Sequence, residues 1–505
     1  MSVASEIQRL QGAKSDLATA IAAKGVTVPA GTKIDGYATL VGQIQTGSSP
    51  NLQSLNVTPS TQAQQITPTS PVDGYDEVNV AAVTSAIDQN IAAGNIKKNV
   101  SILGVTGTLE SGYAEAEDND VIFIDYDGTI RYSYSKADFL NLTELPPNPT
   151  HPGLTSQGWN WTLADAKTYV TNSGILVIGQ NYITSDGKTR FYLHNETHAL
   201  TIALYFSQTV SEGVTIDWGD GSATETIAGT GNVNTQHIYA NPGDYVLALN
   251  CTSGTMALGN GTQESPTLGG NGKRVLFKVE LGANVTTKIY AFHNYRALRT
   301  ITTPSSYREI LGETFDSCSS LQAIVLSKGG SSANIGSANA LYNCPNLRYI
   351  SFPSALSNIP ANSIKNCGGL KKIAIPSLTE FKEGILYGCG TLSTVGIPSN
   401  LQTLGLNCFA ADYILQRVVL PSTVATINGG AFYNNNALRE VILYATTPPN
   451  LKKTDAFAGT HGDLKIYVPY SEEHTVLANY KAASNWLSYE SKIFELDENG
   501  NIPTT

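Results

Sequence analysis

Between residues 298 and 438 the chain returns seven times to the same phrase. Leu298, Leu321, Leu347, Leu370, Leu392, Leu415 and Leu438 recur at steps of 23, 26, 23, 22, 23 and 23 residues. Three positions after each comes Ile301, Ile324, Ile350, Ile373, Val395, Val418 or Val441. Two further on stand Leu326, Phe352, Ile375, Ile397, Leu420 and Leu443, with Thr303 as the exception. Three before each Leu is a second register, Tyr295, Cys318, Cys344, Cys367, Cys389, Asp412 and Asn435. Three before that is an apolar knob, Phe292, Phe315, Leu341, Ile364, Leu386, Phe409 and Phe432. A coil of this length cannot bury its apolar side alone, and coils of one pattern bury it by stacking. The spacing therefore predicts a solenoid with aliphatic columns inside and an extra loop, SKGGSSANIGS, at the 26-residue step. The Cys/Asp/Asn register is expected in a turn, where small polar groups bond neighbouring backbone.

The phrase resembles the BspA-type leucine-rich repeat of surface adhesins and tail-associated proteins. LYATTPPNLKKTDAFAGT followed by LKIYVPYSEEHTVLANYKAASNW is similar to that family's C-terminal cap, which implies that Tyr467, Pro469, Tyr480 and Trp486 cover the last coil. Alternation about the inward strand positions places Thr300, Ala323, Tyr349, Lys372, Thr394, Arg417 and Glu440 outward. Beside them fall Thr302, Val325, Ser351, Ala374, Gly396, Val419 and Ile442. Small residues in that second column make a flat floor, so Tyr349, Lys372, Thr394, Arg417 and Glu440 are the candidate binding face, against the alternative of a plain solvated surface.

At 505 residues the chain is too long for one core. It reads as multidomain and mainly β: an N-terminal helix and attachment module (1–50), small β modules (51–112), a β-hairpin-rich module (113–190), an immunoglobulin-like β-sandwich (191–282) and the solenoid with its cap (283–505). Residues 5–23 read as an amphipathic helix with Ile7, Leu10, Lys14, Leu17 and Ile21 at heptad spacing, either a short oligomerising coil or a helix packed on its own module. Gly-Ser-Ser-Pro at 47–50 reads as a linker and 58–71 as extended. Asp35-Gly36-Tyr37 and Asp73-Gly74-Tyr75 read as turns with a Tyr anchor, and 95–110 as strand, Gly turn and strand. KIDGYATLVGQI, SLNVTPSTQAQQITPTSPVDGYDEVNVAAVTSAID and NIAAGNIKKNVSILGVTGTLE resemble N-terminal modules of phage and prophage tail-fibre proteins. That resemblance implies attachment of the N-terminus to tail or baseplate proteins as a homotrimer.

Further on, Asp127-Gly128 and Asp186-Gly187 predict hairpin turns, and Thr162 caps a short helix running through Tyr169. VTIDWGDGSATETI and QHIYANPGDYVLALN resemble a PKD-like (polycystic-kidney-disease) sandwich. The resemblance implies that Trp218-Gly219-Asp220-Gly221 ends one strand, and that His237, Tyr239, Pro242, Gly243 and Tyr245 bracket a later hairpin. Trp218, Tyr245, Val246 and Leu247 are then expected to fill or flank the two-sheet core.

Charged residues are only 14% and the net charge is −10, with no Lys/Arg-rich run, so a nucleic-acid partner is not expected. No stretch has the length of apolar sequence a membrane helix needs, and residues 1–25 lack the continuous apolar segment of a secretory signal. Asp125-Tyr126-Asp127-Gly128-Thr129 matches the Asp-x-Asp-Gly-Thr signature of haloacid-dehalogenase-type phosphatases. In that family the first Asp is the nucleophile, the second an acid/base, and Mg²⁺ sits between them. RYSYS follows with a strand pattern and no parallel sheet is legible downstream, so a hairpin turn is the better reading. Four of the six Cys occupy one repeat register, which explains them without a disulfide or zinc. His194 and His198 form the only close His pair, and the Asp217/Asp220 turn leaves calcium open. No cofactor, catalytic residue or metal ligand is assigned.

The expected function is that of a non-enzymatic phage tail protein, in the virion, whose repeats bind a host cell-surface protein or polysaccharide. The alternatives are a bacterial cell-surface adhesin and a tail spacer that binds no receptor.

Overall fold

A computed structural model describes residues 3–44, 52–57, 74–80, 101–102, 105–106, 120–210, 212–251, 253–327 and 333–503. The chain divides into two compact units, Met1–Gly112 and Tyr113–Thr505.

In the first unit the helix Val3–Ala23 folds back on its own module at its C-terminal end. Ile21, Val26 and Tyr37 are buried together there, with Ala18, Val28 and Leu40 against them. Asp35-Gly36 closes the short 3-10 turn Ile34–Gly36 that delivers Tyr37 to this core. Ile7, Leu10 and Leu17 stay exposed, so the helix serves its module through Ile21, with Lys14 reaching over the Tyr37 ring, and leaves those three apolar heptad positions uncovered. Leu52–Val57 and Gly74–Val80 pair in parallel, and Ser101–Ile102 pairs antiparallel with Val105–Thr106. The linker at 47–50 and the stretch 58–71 lie outside the described residues.

In the second unit the repeat folds as its columns predict. All seven Leu, the seven knobs and the whole Tyr/Cys/Asp/Asn register are fully buried. Each coil carries two short strands, which stack in parallel with their counterparts on neighbouring coils. The knob rings stack coil on coil, Phe409 on Phe432 and Phe432 on Phe457 at 5.3 Å. Sharp corners come from two left-handed residues per coil, such as Asn362 and Asn366, or Gly430 and Asn434; Asn and Gly tolerate that conformation at least cost. At Gly430 a Cβ would also lie 2.2 Å from Asn407 Oδ1, so any larger residue there needs the Asn407 carboxamide to move. Part of the extra loop expected at the long step is a strand: Ala333–Ile335 pairs with Glu309–Ile310 and Leu356–Asn358.

The buried thiols form a ladder. Cys318, Cys344, Cys367 and Cys389 each donate to a carbonyl one coil back, those of Phe292, Phe315, Leu341 and Ile364, at 3.0 to 3.4 Å. All six cysteines are free, and burial pushes the Cys318, Cys344 and Cys389 thiols up, so they persist as donors. Past Cys389 the register changes chemistry. Asp412 Oδ1 accepts from the Cys389 amide and Asn435 Oδ1 from the Asp412 amide.

The far end is capped as expected. Trp486 Nε1 donates to Pro449 O and Tyr480 Oη to Ala445 O, both side chains fully buried, and Ile493–Glu495 extends the outer sheet beside Lys465–Val468.

The near end is a two-sheet β-sandwich built from Thr189–Asn195 to Thr300–Thr302. Trp218 and Leu247 are buried in it, and Tyr245 packs at its rim. Val246 points outward at 38% exposure, in keeping with strand alternation. The expected hairpin after His237 is instead a crossover. Gly231–Tyr239 pairs within one sheet and Gly243–Asn250 within the other. The division expected at 282/283 falls inside continuous structure. Leu276–Glu280 pairs in parallel with Thr300–Thr302, and one apolar core runs from Phe191 to Ile493.

Residues 120–184 differ most from expectation. Val121–Ile124 and Ile130–Tyr134 form the predicted hairpin about Asp127-Gly128. Val121–Ile124 also pairs in parallel with Leu176–Thr184, the parallel connection not legible in the sequence. Helices Lys136–Asn141 and Leu163–Ser173 occupy the crossover; Thr162 caps the second, as read, which runs on to Ser173. The module is therefore an α/β layer rather than a set of hairpins. Asp186-Gly187 passes the chain from Leu176–Thr184 in one sheet to Thr189–Asn195 in another and closes no hairpin.

Candidate functional site

The outer strand face of the solenoid is the surface that alternation makes available for binding, and most of it is already occupied by the chain itself. Ile122, Ile124 and Val177 of the α/β layer form one buried cluster with Ala323, Val325 and Tyr349. The fit is close at backbone level. A Cβ on Gly179 would lie 2.6 Å from Val325, and one on Gly396 would lie 2.9 Å from Ile175 and from the Tyr169 hydroxyl. Asn160 Nδ2 donates to Leu326 O and Ser351 Oγ, Ser351 Oγ to Val177 O, Trp161 Nε1 to Phe352 O, and Tyr169 Oη to Gly396 O. Buried backbone carbonyls of the edge are thereby satisfied, as a dry interface requires. The column of small residues is thus a seat for a second sheet, and two of the five candidates sit beneath it: Tyr349 is 1% exposed and Lys372 4%.

The other three lie on a window the layer leaves open. Thr394 is half-buried, Arg417 exposed and Glu440 half-buried, with Arg417 Nε 3.6 Å from Glu440 Oε2. On the far side the C-terminal tail closes the face again, packing Leu496 and Ile502 against Ile442 and Tyr467. Between these covers is a cleft of about 540 Å³, lined by Asn172, Ser173 and Ile175 at the end of the 163–173 helix, by Ser393 and Thr394, and by Arg417, Val419 and Tyr444. A smaller hollow of about 320 Å³ adjoins it along the same helix, sharing Asn172, Ser173 and Ser399 and reaching Trp161, Asp165 and Asn400. The larger cleft offers one guanidinium, several hydroxyls and an apolar wall that includes the exposed Tyr444 ring. That set has the chemistry to hydrogen-bond hydroxyl or acidic groups; it contains no nucleophile beside a base.

The remaining sequence candidates are accounted for by local structure. Asp125 is fully buried: its Oδ1 accepts from the Tyr126 amide, and its Oδ2 lies 2.8 Å from both Arg131 Nε and His151 Nε2. Asp127 Oδ1 accepts from the Thr129 amide. The Asp-x-Asp pair is thus consumed by its turn and an internal ion pair. Asp217 and Asp220 accept from the Gly219 and Ser222 amides. Burial raises Asp220, but bonds from Ser222 and His237 outweigh it and hold the carboxyl at about 2. His194 bonds Asp244 while His198 faces Ala240 O, so each has a partner of its own. Sequence reasoning missed His293, Glu313 and Asp316, whose ligand atoms lie within 4.8 Å of one another. Their carboxylates already accept from Tyr290, Gln263 and Ser317. Among the described residues no helix is long and apolar enough to cross a membrane.

The BspA type Leucine rich repeat region matches in six copies over residues 276–389 and 333–461. Solved structures with similarity include a leucine-rich repeat protein from Bacteroides ovatus (20% identity, 44% of this chain and 66% of that one, TM-score 0.28). They also include a T. pallidum leucine-rich repeat protein (26%, 26% and 62%, 0.25). A third is a leucine rich cell surface protein from Faecalibacterium prausnitzii (17%, 44% and 68%, 0.23). The chain thus spans just under two thirds of the first two relatives' own lengths. No curated protein matches the chain.

Proposed function

We propose, from a C-terminal region built of BspA-type leucine-rich repeats, that this chain is an adhesin-like surface-binding protein. It recognises a cell-surface receptor through the window between the α/β layer and the C-terminal tail. The observation that carries the reading is the cleft beside Arg417 and Tyr444, where the outer sheet emerges from under the end of the 163–173 helix. In the finer reading, supported by the phrases of residues 1–112 that resemble tail-fibre modules, the protein is the tip of a phage tail. The first unit then holds it on the tail as a trimer, and the exposed Ile7, Leu10 and Leu17 stripe supports that assembly. Trimerisation multiplies modest contacts by avidity. A stationary cell-surface adhesin uses the same window.

The test is binding of the fluorescently labelled full-length chain to candidate host cells, comparing wild type with Arg417→Ala and Tyr444→Ala. The reading expects both variants to lose about tenfold or more in affinity, as hot-spot Arg and Tyr do, with unchanged thermal unfolding. Wild-type binding that both variants retain in full would move recognition to another surface.

A further inference from the structure

The first two coils of the solenoid bring together three metal-ligating side chains that neither the repeat core nor the binding window uses. His293 and Asp316 each follow a knob, Phe292 and Phe315, whose rings stack at 5.5 Å. The Asn294 amide donates to Asp316 O at 2.7 Å, which fixes the two side chains at one register on consecutive coils. Glu313 reaches the pair from the left-handed corner of the second coil, at φ 54°. On the coils that follow, the same corner holds Asn339, Asn362, Gly384, Asn407 and Gly430. Asn and Gly take that conformation at least cost, so Glu313 stands there against the preference of the backbone.

The electrostatics of the trio are one-sided. His293 Nδ1 is cut off from solvent and makes no hydrogen bond, although it stands 3.2 Å from Asp316 Oδ2. The His293 and Asp316 side chains are only 18% and 13% exposed. Glu313 receives long bonds alone, from Tyr290 Oη at 3.4 Å and Gln263 Nε2 at 3.5 Å, and Asp316 Oδ1 accepts from Ser317 Oγ. A carboxylate has lone pairs to spare beyond these. Among the described residues neither carboxylate is paired with a lysine or arginine. With its proton on Nε2, the His293 ring turns a lone pair toward two carboxylates. Groups of one polarity held this close in a poorly solvated corner call for a cation between them.

The geometry points to a divalent-cation site of the zinc class, held by His293, Glu313 and Asp316, that clips the first coil to the second. One imidazole with two carboxylates suits Zn²⁺, whereas Ca²⁺ takes about six to eight oxygen ligands. The three ligand atoms lie within 4.8 Å of one another. Tetrahedral zinc, at about 2.0–2.2 Å from each ligand, needs them roughly 3.3–3.6 Å apart, a closure within reach of small side-chain rotations. Water takes the fourth position. The site lies apart from the cleft at Arg417 and does not rest on the receptor-binding reading.

Isothermal titration of the full-length, tag-free chain, stripped with chelator and then given Zn²⁺ or Ca²⁺, tests this. Wild type is expected to bind one Zn²⁺ with a Kd of about 10 μM or below. Zinc at about a hundred times that Kd is expected to raise the thermal midpoint by roughly 2–4 °C. Ca²⁺ is expected to do neither at the same concentrations. His293→Ala and Asp316→Asn are each expected to weaken Zn²⁺ binding by about a hundredfold. Glu313→Asn restores the corner residue of the later coils. It is expected to keep the metal-free midpoint at or above that of wild type while losing the zinc-dependent rise, which separates loss of a ligand from loss of the fold. No Zn²⁺ bound, Zn²⁺ bound equally by all three variants, or a rise in midpoint that Ca²⁺ reproduces would each overturn the inference.

Discussion

The coils from Ala323 to Ala374 and those from Thr394 to Leu443 follow one sequence rule and meet two different fates. In the earlier coils the outward strand positions are buried under the α/β layer, and the interior polar register is a run of thiols. In the later coils Thr394, Arg417, Val419 and Glu440 reach solvent, and the interior register passes from Cys389 to Asp412 and Asn435. Periodicity decides which way a side chain points. Whether that direction ends in water is decided elsewhere in the chain.

The sharpest way to break the contrast is to dislodge the cover. Trp161 is 1% exposed, packs against Tyr169 of the capped helix at 5.5 Å and donates to Phe352 O across the interface. Trp161→Ala removes that anchor and strands a buried carbonyl, with an expected cost of about 3–5 kcal/mol. Calorimetric unfolding is the measurement, and limited proteolysis should then cut between residues 136 and 173. An unchanged midpoint would mean that the layer is not anchored through Trp161.

This division also explains what could be read beforehand. The columns, the Thr162 cap and the Asp127-Gly128 hairpin were legible because each is written in local or periodic spacing, whereas the Tyr480/Trp486 lid was legible only through the resemblance to the repeat family's cap. The left-handed corners were equally legible and were missed: Asn339 and Asn343, Asn362 and Asn366, Gly430 and Asn434 repeat four apart in every coil. The covered face was not legible. Gly179 against Val325, or Asn160 against Ser351, is a match of shapes across more than a hundred residues, and nothing periodic announces it. Ala374 and Gly396 read as a floor, and only the structure says what stands on it. The crossover after Tyr239 and the sheet change at Asp186-Gly187 were obscured for a related reason. A tight turn is the same short phrase whether the next strand pairs with the last one or leaves for another sheet.

Inside the coils, the change from thiols to Asp412 gives a pH handle on the later half. Burial pushes the Asp412 carboxyl well above its usual range, and its Oδ2 has no hydrogen-bond partner. The folded state therefore holds a proton that the unfolded state releases near pH 4. The stability tied to that proton is fully present below the unfolded value and is lost as pH rises toward the folded one. Asn435 already performs the same amide bond one coil later without a charge to suppress. Asp412→Asn is thus expected to be stabilising by roughly 1–3 kcal/mol at pH 8, with the gain shrinking toward zero at pH 4. Denaturant unfolding at the two pH values checks it; an equal gain at both would show that proton linkage is not the cause.

The smallest effect separates the two halves most directly, because it compares one column with itself. Lys372 and Arg417 hold the same outward strand position, linked through the parallel pairing of Lys372 with Thr394 and their common spacing from Leu370 and Leu415. Lys372 is 4% exposed beneath the layer, whereas Arg417 is open to solvent with a long ion pair to Glu440. A buried Lys stem contributes by packing as much as by charge, so Lys372→Ala is expected to cost about 1–3 kcal/mol. Arg417→Ala is expected to stay within about 0.5 kcal/mol, since exposed pairs are weak and screened. Urea unfolding of the two single variants measures the difference. If Arg417→Ala proves as damaging as Lys372→Ala, the window is not open and the cleft beside it belongs to the packing of the protein rather than to a ligand.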